Sequence, residues 1–454
     1  MVPKSVLSGM VNMTLMLLHS PSIARAEAPS PDMSATQAIG EGRGRKISLT
    51  QALVHAAERS PLVAQAKAEA SRSQAVRAAA APIFPANPQV TVSMGPRFGA
   101  SGGSAMDVAV SLSQRIWVAG ERGLTGARAT AFTQLANARL AQVTWNLHWR
   151  VHATFHRALV MRERARVASR LLTFAERLGA IAAAKVKAGE ISPLQQRLAS
   201  AEVAQARQAK IAADGAYLTV RLGLAELIGW TGQRPPVPTG VLDAPRVAPK
   251  AASLFAIARK RAPALKQFRA AKREVQTRLT LAKRRAWPTP TVGIQYQRES
   301  DPSTGGTESS IVLATLSVQL PLWQRMQGAR AHTAADLRVA TANLTLIERT
   351  LRWRVQRAAT QVTVGANRIK AYSSTILPSL EQNLAKLRRS FELGEIDLVN
   401  LVAAQQRFVK VQQNVLNAYS AYFKALAELE SVVGAEIWPD EHHQHAQDPQ
   451  EEPS

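Results

Sequence analysis

Apolar and polar residues alternate with a period of two in two parts of the chain, residues 88–116 and 290–322. In the first part, small polar side chains separate Val90, Val92 and Met94. This alternation predicts β-strands with one apolar and one polar face. A segment rich in Gly, Ser, Pro and Thr divides each part near its middle, as the turn of a hairpin does. We therefore expect two hairpins with four strands of about 8 to 10 residues, long enough to cross a bilayer when tilted.

A long stretch that favours helix follows each hairpin. Residues 118–187 contain no proline, and residues 325–393 contain only Pro378. Charged residues recur along both stretches, so that Ala and Leu form narrow apolar stripes typical of helices packed in coiled coils. We expect a continuous helix of about 105 Å over residues 118–187 and a second long helix with a kink at Pro378.

The two halves of the chain share landmarks about 205 residues apart, which indicates an internal duplication. A Ser-Leu pair opens each half, proline-rich breaks precede each hairpin, and a Leu-Ala-Glu-Leu run closes each half. Each repeat, residues 48–234 and 251–437, is expected to fold as helix, strand, strand, very long helix, turn and helix. Residues 235–250 are predicted to be a proline-rich linker. The clearest match between the halves is a Gly-Glu-Ile sequence, found as Gly189-Glu190-Ile191 and as Gly394-Glu395-Ile396.

Both ends of the chain differ in composition from the rest. An apolar run follows Lys4, and Ala24-Arg25-Ala26 offers a cleavage site, so residues 1–26 are predicted to be a secretory signal peptide. Residues 27–47 form an N-terminal segment. Residues 438–454 are polar and are predicted to be a disordered tail. This tail contains several acids and three candidate weak metal ligands, His442, His443 and His445.

Composition excludes several classes of protein. The chain has 454 residues, 57 Lys and Arg against 32 Asp and Glu, a formal net charge of +25 and no Cys. The lack of Cys excludes a disulfide scaffold and a thiolate metal site. No uncharged run of 18 apolar residues is present, so a membrane-spanning helix is not expected. No catalytic motif is present, and we predict neither an enzyme nor a cofactor.

The basic charge leaves one alternative from another class, a helical protein that binds nucleic acid. Lys and Arg are scattered along the predicted helices and are not concentrated in a stripe with stacking aromatics. An export signal also separates the chain from that partner. We therefore expect no nucleic-acid partner.

Four aromatic residues flank the predicted hairpins. Phe84 and Trp287 come just before the first strand of a hairpin, and Trp117 and Trp323 come just after the second strand. Because the strands of a hairpin are antiparallel, all four are expected at the same end of the strands. They would form a ring at one water–membrane interface. The alternative is that they fill a seam between the helices and a soluble sheet.

Four strands cannot form a closed barrel. In lipid their outer edges would have unsatisfied hydrogen-bonding groups, and closed bacterial barrels have at least eight strands. Two copies would close a barrel filled with side chains, whereas three copies would give twelve strands and room for a lumen. The polar face of the strands favours a wet interior, so we expect a mainly α-helical assembly in which the long coiled-coil helices continue the cylinder of the membrane β-barrel as an α-barrel, with twelve strands if the assembly is a homotrimer.

Several short motifs add a family resemblance to this reading. They are the strand entry Asn87-Pro88-Gln89-Val90, then Ser113-Gln114-Arg115-Ile116 with Gly120-Glu121-Arg122, and Leu320-Pro321-Leu322-Trp323 with Gln327-Gly328. Through them, and over most of its length from Ile47 to Gly434, the chain resembles the TolC-like proteins, the trimeric outer-membrane efflux ducts of Gram-negative bacteria. Among these, it is most similar to the cobalt-zinc-cadmium type.

The resemblance implies a function and a set of partners. A duct of this kind lies in outer-membrane lipid, with its helical part in the periplasm. It works with a periplasmic adaptor protein and an inner-membrane proton-driven pump. We expect passive conduction of heavy-metal cations from the periplasm to the exterior. A duct of the same fold for drugs or for type I secretion is the alternative.

The resemblance also implies where the adaptor binds. In the family the helix-turn-helix tips meet the adaptor and close the periplasmic entrance, which makes Gly189, Glu190, Ile191, Gly394, Glu395 and Ile396 the contact candidates. Some members narrow the pore with Asp rings six and nine positions past the second turn glycine. Those positions here are Asn400 and Ala403, and the nearest acid is Asp397. Asp397 and Asn400 are the candidates for an entrance constriction. An acidic ring there would need three copies of Asp397, Glu395 or Glu190, and three such acids near the axis would favour cations.

Three histidines recur at a spacing of four residues. A helix would place His148, His152 and His156 on one stripe, close to Trp145 and Trp149. Imidazoles at this spacing can chelate Zn²⁺, Cu²⁺ or Ni²⁺. The sequence places no acid beside them to complete a metal site. The alternative is therefore that the stripe packs against another helix.

Overall fold

The computed structural model describes residues 44–98, 104–242, 244–301, 307–393 and 395–438. The predicted signal peptide and the histidines of the tail lie outside these ranges. The elements are, in chain order, β1 Lys46–Ile47, α1 Leu49–Arg59, α2 Pro61–Ala80, β2 Gln89–Phe98, β3 Ser104–Arg115, α3 Glu121–Lys187, α4 Pro193–Ile228, β4 Val237–Pro238, α5 Ala251–Arg261, α6 Pro263–Arg284, β5 Thr291–Asp301, β6 Thr307–Ser317, α7 Gln327–Ala371, a π-helical turn Tyr372–Ile376, α8 Leu377–Glu392 and α9 Leu398–Val433.

The two predicted hairpins are present and join into one antiparallel sheet of order β2-β3-β5-β6. Val92, Val110, Tyr296 and Val312 pair across all four strands in a single row. All four side chains in this row are at least 40% exposed, because none of the helices described above covers this face. The next row along the sheet points to the opposite, more polar face. The pattern of alternation therefore predicted both the strands and their two faces correctly.

The last strand is shorter than the alternation indicates. Val318 and Leu320 continue the period of two, yet β6 ends at Ser317. Pro321 has no N–H group to donate to a ladder, and Leu322 bonds back to the carbonyl of Leu320 at 2.9 Å. The predicted hairpin of residues 290–322 therefore ends about five residues early.

The first helix of each half is two helices. We expected one helix before each hairpin, but α1 ends at Arg59 and α2 begins at Pro61. Ser48 starts α1 with a capping box, in which Gln51 N–H donates to Ser48 Oγ at 3.2 Å. Pro61 is tolerated at the start of α2, where its missing N–H is not needed. Pro263 divides α5 from α6 in the same way.

The long helices follow the prediction closely. Helix α3 has 67 residues and a length of about 100 Å. The second long helix is interrupted by the π-helical turn Tyr372–Ile376, which ends just before Leu377 and Pro378. This is the expected site, because proline removes one i to i−4 hydrogen bond and its ring crowds the preceding turn. None of the helices in the described ranges is long and apolar enough to cross a membrane.

Small residues and glycine caps allow the helices to pack closely. Ala158 and Ala358 are fully buried or nearly so in the helix interfaces. Helix α4 ends at Gly229 with a φ of 66°, and a Cβ there would lie 2.3 Å from the Arg59 carbonyl oxygen. Helix α9 ends in the same way at Gly434, whose Cβ would lie 2.8 Å from the Cα of Ala262. Each return helix therefore ends against the proline break of its own half.

The proline-rich segment after α4 has structure of its own. Val237–Pro238 pair in parallel with Lys46–Ile47, although we expected only a linker at residues 235–250. The guanidinium of Arg221 donates to the carbonyl oxygens of Pro235 and Pro236, at 2.6 and 3.0 Å. These contacts attach the segment to the side of α4.

Candidate functional site

The first helix-turn-helix tip lies between α3 and α4. Gly189 has a φ of 75°, a left-handed conformation that glycine adopts without strain. Its neighbours reverse the chain through two helix-end bonds, from Ala188 N–H to Ala184 O at 3.1 Å and from Glu190 N–H to Lys185 O at 2.9 Å. The glycine is therefore required by the turn itself.

The second tip, between α8 and α9, has the same hydrogen bonds. Leu393 N–H donates to Arg389 O at 3.0 Å, and Glu395 N–H donates to Ser390 O at 2.8 Å. Donors and acceptors both lie 205 positions after their counterparts in the first tip. Gly394 lies outside the described residues.

Side chains hold the two tips together. Gln195 Nε2 donates to Asp397 Oδ1 at 2.8 Å, which links the first turn of α4 to the N-cap of α9. Ile191 and Ile396 both pack, partly buried, against one apolar cluster that includes Leu398. The five tip candidates that the structure describes therefore lie in the two turns. The two turns lie side by side.

The tips present acidic and polar groups to solvent. Glu190 is 57% exposed and forms an ion pair of 3.3 Å with Lys185, while Glu395 is exposed. Asp397 is the N-cap of α9 and accepts from Leu398 N–H at 2.7 Å, so its carboxylate already has two partners. Asn400 lies exposed on the first turn of the same helix.

The four flanking aromatics lie at one end of the sheet. Pairing of Arg115 with Thr291 places the end of β3 beside the start of β5. The side chains of Phe84, Trp287 and Trp323 are exposed. The side chain of Trp117 is partly buried.

An ion cluster that the sequence analysis missed lies at the opposite end of the sheet, on its polar face. Arg97 of β2 forms ion pairs with Asp107 of β3 at 2.7 Å and with Glu299 of β5 at 2.8 Å. Asp107 also accepts from the backbone N–H of Ser300 at 3.2 Å. Charged residues inside an alternating strand were the available signal, but only the register shows that they meet.

The histidine stripe does have acidic neighbours, contrary to our expectation. His148 Nε2 lies 2.8 Å from Glu436 Oε1, and His152 Nε2 lies 3.8 Å from the same oxygen. Glu430 faces the other nitrogen of His152, with Nδ1 and Oε2 separated by 4.0 Å. Glu430 lies in the last turn of α9 and Glu436 just after its glycine cap, about 280 residues later in the chain than the histidines. Sequence proximity could not reveal them.

The third histidine is used for packing. His156 Nδ1 donates to the carbonyl oxygen of His152 at 2.9 Å, and its ring stacks on Phe423 with centroids 4.2 Å apart. The histidine stripe therefore divides into two residues that meet acids and one that contacts a neighbouring helix.

Glu430, in the last turn of α9, is a buried acid with a raised pKa. Desolvation by burial raises the pKa of its carboxyl to about 7, although the N–H of Ile437 donates to it at 3.2 Å. Trp145 Nε1 donates to its backbone oxygen at 3.2 Å. Glu430 thus lies where the end of α9 packs against α3.

An amphipathic four-stranded sheet, joined to helices of about 100 Å, defines a class of protein that conducts through an outer membrane. The sequence model of the outer membrane efflux protein family matches residues 52–230 and 254–435. The chain belongs to this family, and it is an outer-membrane efflux channel. The family is one of channels and not of enzymes.

Individual relatives agree with this assignment. The chain is 23% identical over 319 residues to the cobalt-zinc-cadmium resistance protein CzcC of Cupriavidus metallidurans. This match covers 70% of this chain and 75% of the relative. The fold matches crystal structures of CusC, with a TM-score of 0.70 and 14% identity over 87% of this chain and 94% of that one. It also matches the CmeC outer membrane channel of Campylobacter jejuni, with a TM-score of 0.70 and 11% identity over 94% of this chain and 97% of that one.

Proposed function

We propose that three copies of this chain close a 12-stranded barrel in the outer membrane. The observation that carries this proposal is the sheet of order β2-β3-β5-β6, in which β2 and β6 are the outer strands and one face is apolar and exposed. Lipid offers no hydrogen bonds to the outer edges of such a sheet, so β6 of one copy must pair with β2 of the next. The polar face then lines the lumen.

The two halves of the chain arose, in this proposal, by duplication. The family model matches twice, and the tips have the same hydrogen bonds 205 residues apart. Duplication gives each copy two hairpins and two helix-turn-helix tips. Three copies then provide six tips around one axis.

The helical part extends into the periplasm, and the aromatic residues lie at the periplasmic edge of the barrel. Phe84, Trp117, Trp287 and Trp323 lie at the end of the strands that joins the helices. Tryptophan rings favour the water–membrane interface, because they have an apolar body and a polar N–H. The tips lie at the far end of helices of about 100 Å.

The tips bind a periplasmic adaptor protein, which connects the duct to a proton-driven pump in the inner membrane. Glu190 and Glu395 are exposed there, and Gln195 and Asp397 tie the two tips of one copy together. An adaptor that binds the open entrance more tightly than the closed one shifts the equilibrium toward opening. Asp397 and Asn400 then lie at the narrow part of the entrance.

The cargo is heavy-metal cations, conducted passively to the exterior. The similarity to a cobalt-zinc-cadmium resistance protein favours this cargo over drugs or secreted proteins. A cation lumen also fits the ion cluster at the outer end of the sheet, because this cluster contains two acids, Asp107 and Glu299, and one arginine, Arg97. The strong positive charge of the whole chain resides mainly on the helices.

Gene deletion tests the cargo, and detergent-purified protein tests the assembly. We expect the deletion strain to become sensitive to zinc, cobalt or cadmium and the wild-type gene to restore tolerance. Unchanged metal tolerance together with sensitivity to dyes would contradict the metal cargo and favour drug efflux. A processed chain that is a stable single subunit in water without detergent would contradict the trimeric barrel.

A further inference from the structure

The junction between α3 and the end of α9 contains a cluster of metal-ligating atoms outside the proposed lumen and tips. We propose that His148, His152 and Glu436 form a binding site for a divalent transition metal such as Zn²⁺. Their ligand atoms all lie within 4.8 Å of one another. The site does not depend on the cargo of the duct.

The distances suit a tetrahedral ion. Zn²⁺ binds imidazole nitrogen and carboxylate oxygen at about 2.0 to 2.2 Å, which places two ligand atoms of one ion about 3.4 Å apart. The Glu436 Oε1 atom lies 2.8 Å from His148 Nε2 and 3.8 Å from His152 Nε2. Shifts of about half an ångström bring both separations to that value.

The backbone already presents the two histidines together. They are four residues apart in the interior of α3, so a regular helix places their rings on one face, with centroids 4.7 Å apart. The third ligand arrives because Gly434, with a φ of 76°, ends α9 and turns the chain toward α3. Bound metal therefore joins the C-terminal segment to the middle of the long helix.

A second carboxylate supports one ligand from behind. Glu430 Oε2 faces His152 Nδ1 at 4.0 Å, on the side of the ring opposite to Glu436. The Glu430 side chain is 4% exposed, and within the described residues its Oε2 atom has no hydrogen-bond partner. A carboxylate that accepts a hydrogen bond from the second ring nitrogen fixes the tautomer and orientation of a metal-binding histidine, and a shift of about 1 Å would bring Glu430 to that distance.

The chemistry of the ligands selects the class of ion. Two imidazoles and one carboxylate suit Zn²⁺, Cu²⁺ or Ni²⁺, whereas Ca²⁺ and Mg²⁺ prefer sites made wholly of oxygen. His148 and Glu436 are each 24% exposed, so an ion reaches the site from solvent and water fills the remaining position. We infer a site that binds metal reversibly and, when occupied, stabilises the attachment of the C-terminal segment.

The experiment uses the full chain in detergent, with His442, His443 and His445 changed to Gln so that the tail does not bind metal. After removal of metal with a chelator, Zn²⁺ is titrated by calorimetry and Co²⁺ by visible absorption. We expect one saturable site per chain, Co²⁺ bands typical of tetrahedral geometry, and a rise in melting temperature with Zn²⁺.

Three variants identify the ligands. His148→Ala and Glu436→Gln should lose the Co²⁺ bands, and Glu430→Gln should weaken Zn²⁺ binding by about 10- to 100-fold. His332→Ala is the matched control, because His332 and Asp336 form an exposed pair on α7 that has only two ligands. Glu436→Gln keeps the shape of the side chain, so an unchanged trimer on gels shows that folding is intact.

Two results would overturn the proposal. One is a Zn²⁺ affinity that is the same in the parent and in Glu436→Gln, and the other is a parent that shows no saturable binding. In the second case the cluster is only a pair of histidines that lie beside the Glu436 carboxylate. Neither result bears on metal tolerance of the deletion strain, so the proposed cargo is tested separately.

Discussion

Gln195 and Asp397, 202 residues apart in the chain, are joined by a hydrogen bond of 2.8 Å between the side-chain amide and the carboxylate. The bond connects the two helix-turn-helix tips of one protomer. Asp397 caps α9 with the same oxygen, so the link and the helix start depend on one atom. The two tips are therefore held together by this bond as well as by the apolar cluster that Ile191 and Ile396 share.

Removal of this link should loosen the proposed entrance. We expect Gln195→Ala to increase hydrogen exchange at residues 186–198 and to raise the conductance of single trimers in planar bilayers. Gln406→Ala is the matched control, because Gln406 donates to Glu202 between the same two helices at 3.0 Å, also exposed but farther from the tips. Equal conductance for the two variants would show that the tip link has no special effect.

The acids of the tips should determine adaptor binding without affecting the fold. Replacing both Glu190 and Glu395 with Arg should abolish crosslinking to the adaptor and leave the trimer intact. Loss of the exposed ion pair between Glu190 and Lys185 has a stability cost of at most about 1 kcal/mol. Glu176→Arg removes a similar exposed pair, with Arg207, about three turns before the tip, and should crosslink normally. Crosslinking that survives the double change would refute the tip assignment.

The two faces of the sheet should respond differently to the same substitution. Val312→Lys places a charge on the apolar face, where lipid contact would destabilise the barrel by about 2 to 4 kcal/mol. Leu313→Lys also replaces an apolar residue with lysine, but on the opposite face of the sheet. That face would line the lumen, so this substitution should be tolerated. Heat-modified mobility of the trimer on gels measures the difference. A stable Val312→Lys trimer beside an unstable Leu313→Lys trimer would reverse the orientation of the sheet.

The glycine cap of α4 should tolerate no side chain. Gly229→Ala forces a left-handed backbone, with a cost of about 1 to 2 kcal/mol, and adds a clash with the Arg59 carbonyl. Gly223→Ala is in the same helix with open space around its Cβ and should stabilise by about 0.5 to 1 kcal/mol. Thermal unfolding of the purified protein should therefore give the lower melting temperature for Gly229→Ala. Equal melting temperatures would contradict the close contact between α4 and α1.

The periodicity of the sequence was enough to predict the elements that depend on local patterns. Alternation located the strands β2, β3, β5 and β6, and the absence of proline located α3. Pro61 begins a second helix, an error that the backbone geometry of proline could have prevented. The early end of β6 at Ser317 and the acid beside the histidine stripe had no local signal in the sequence.

The sequence by itself determined the period of each segment, the glycines at the turns and the family, because these depend on neighbours in the chain and on order along it. Tertiary structure alone decided which distant side chains meet. Glu436 reaches His148 only because Gly434 ends α9 beside α3, and Arg97 reaches Glu299 only through the register of three strands. Contacts of this kind arise when the chain packs, and no local pattern encodes them.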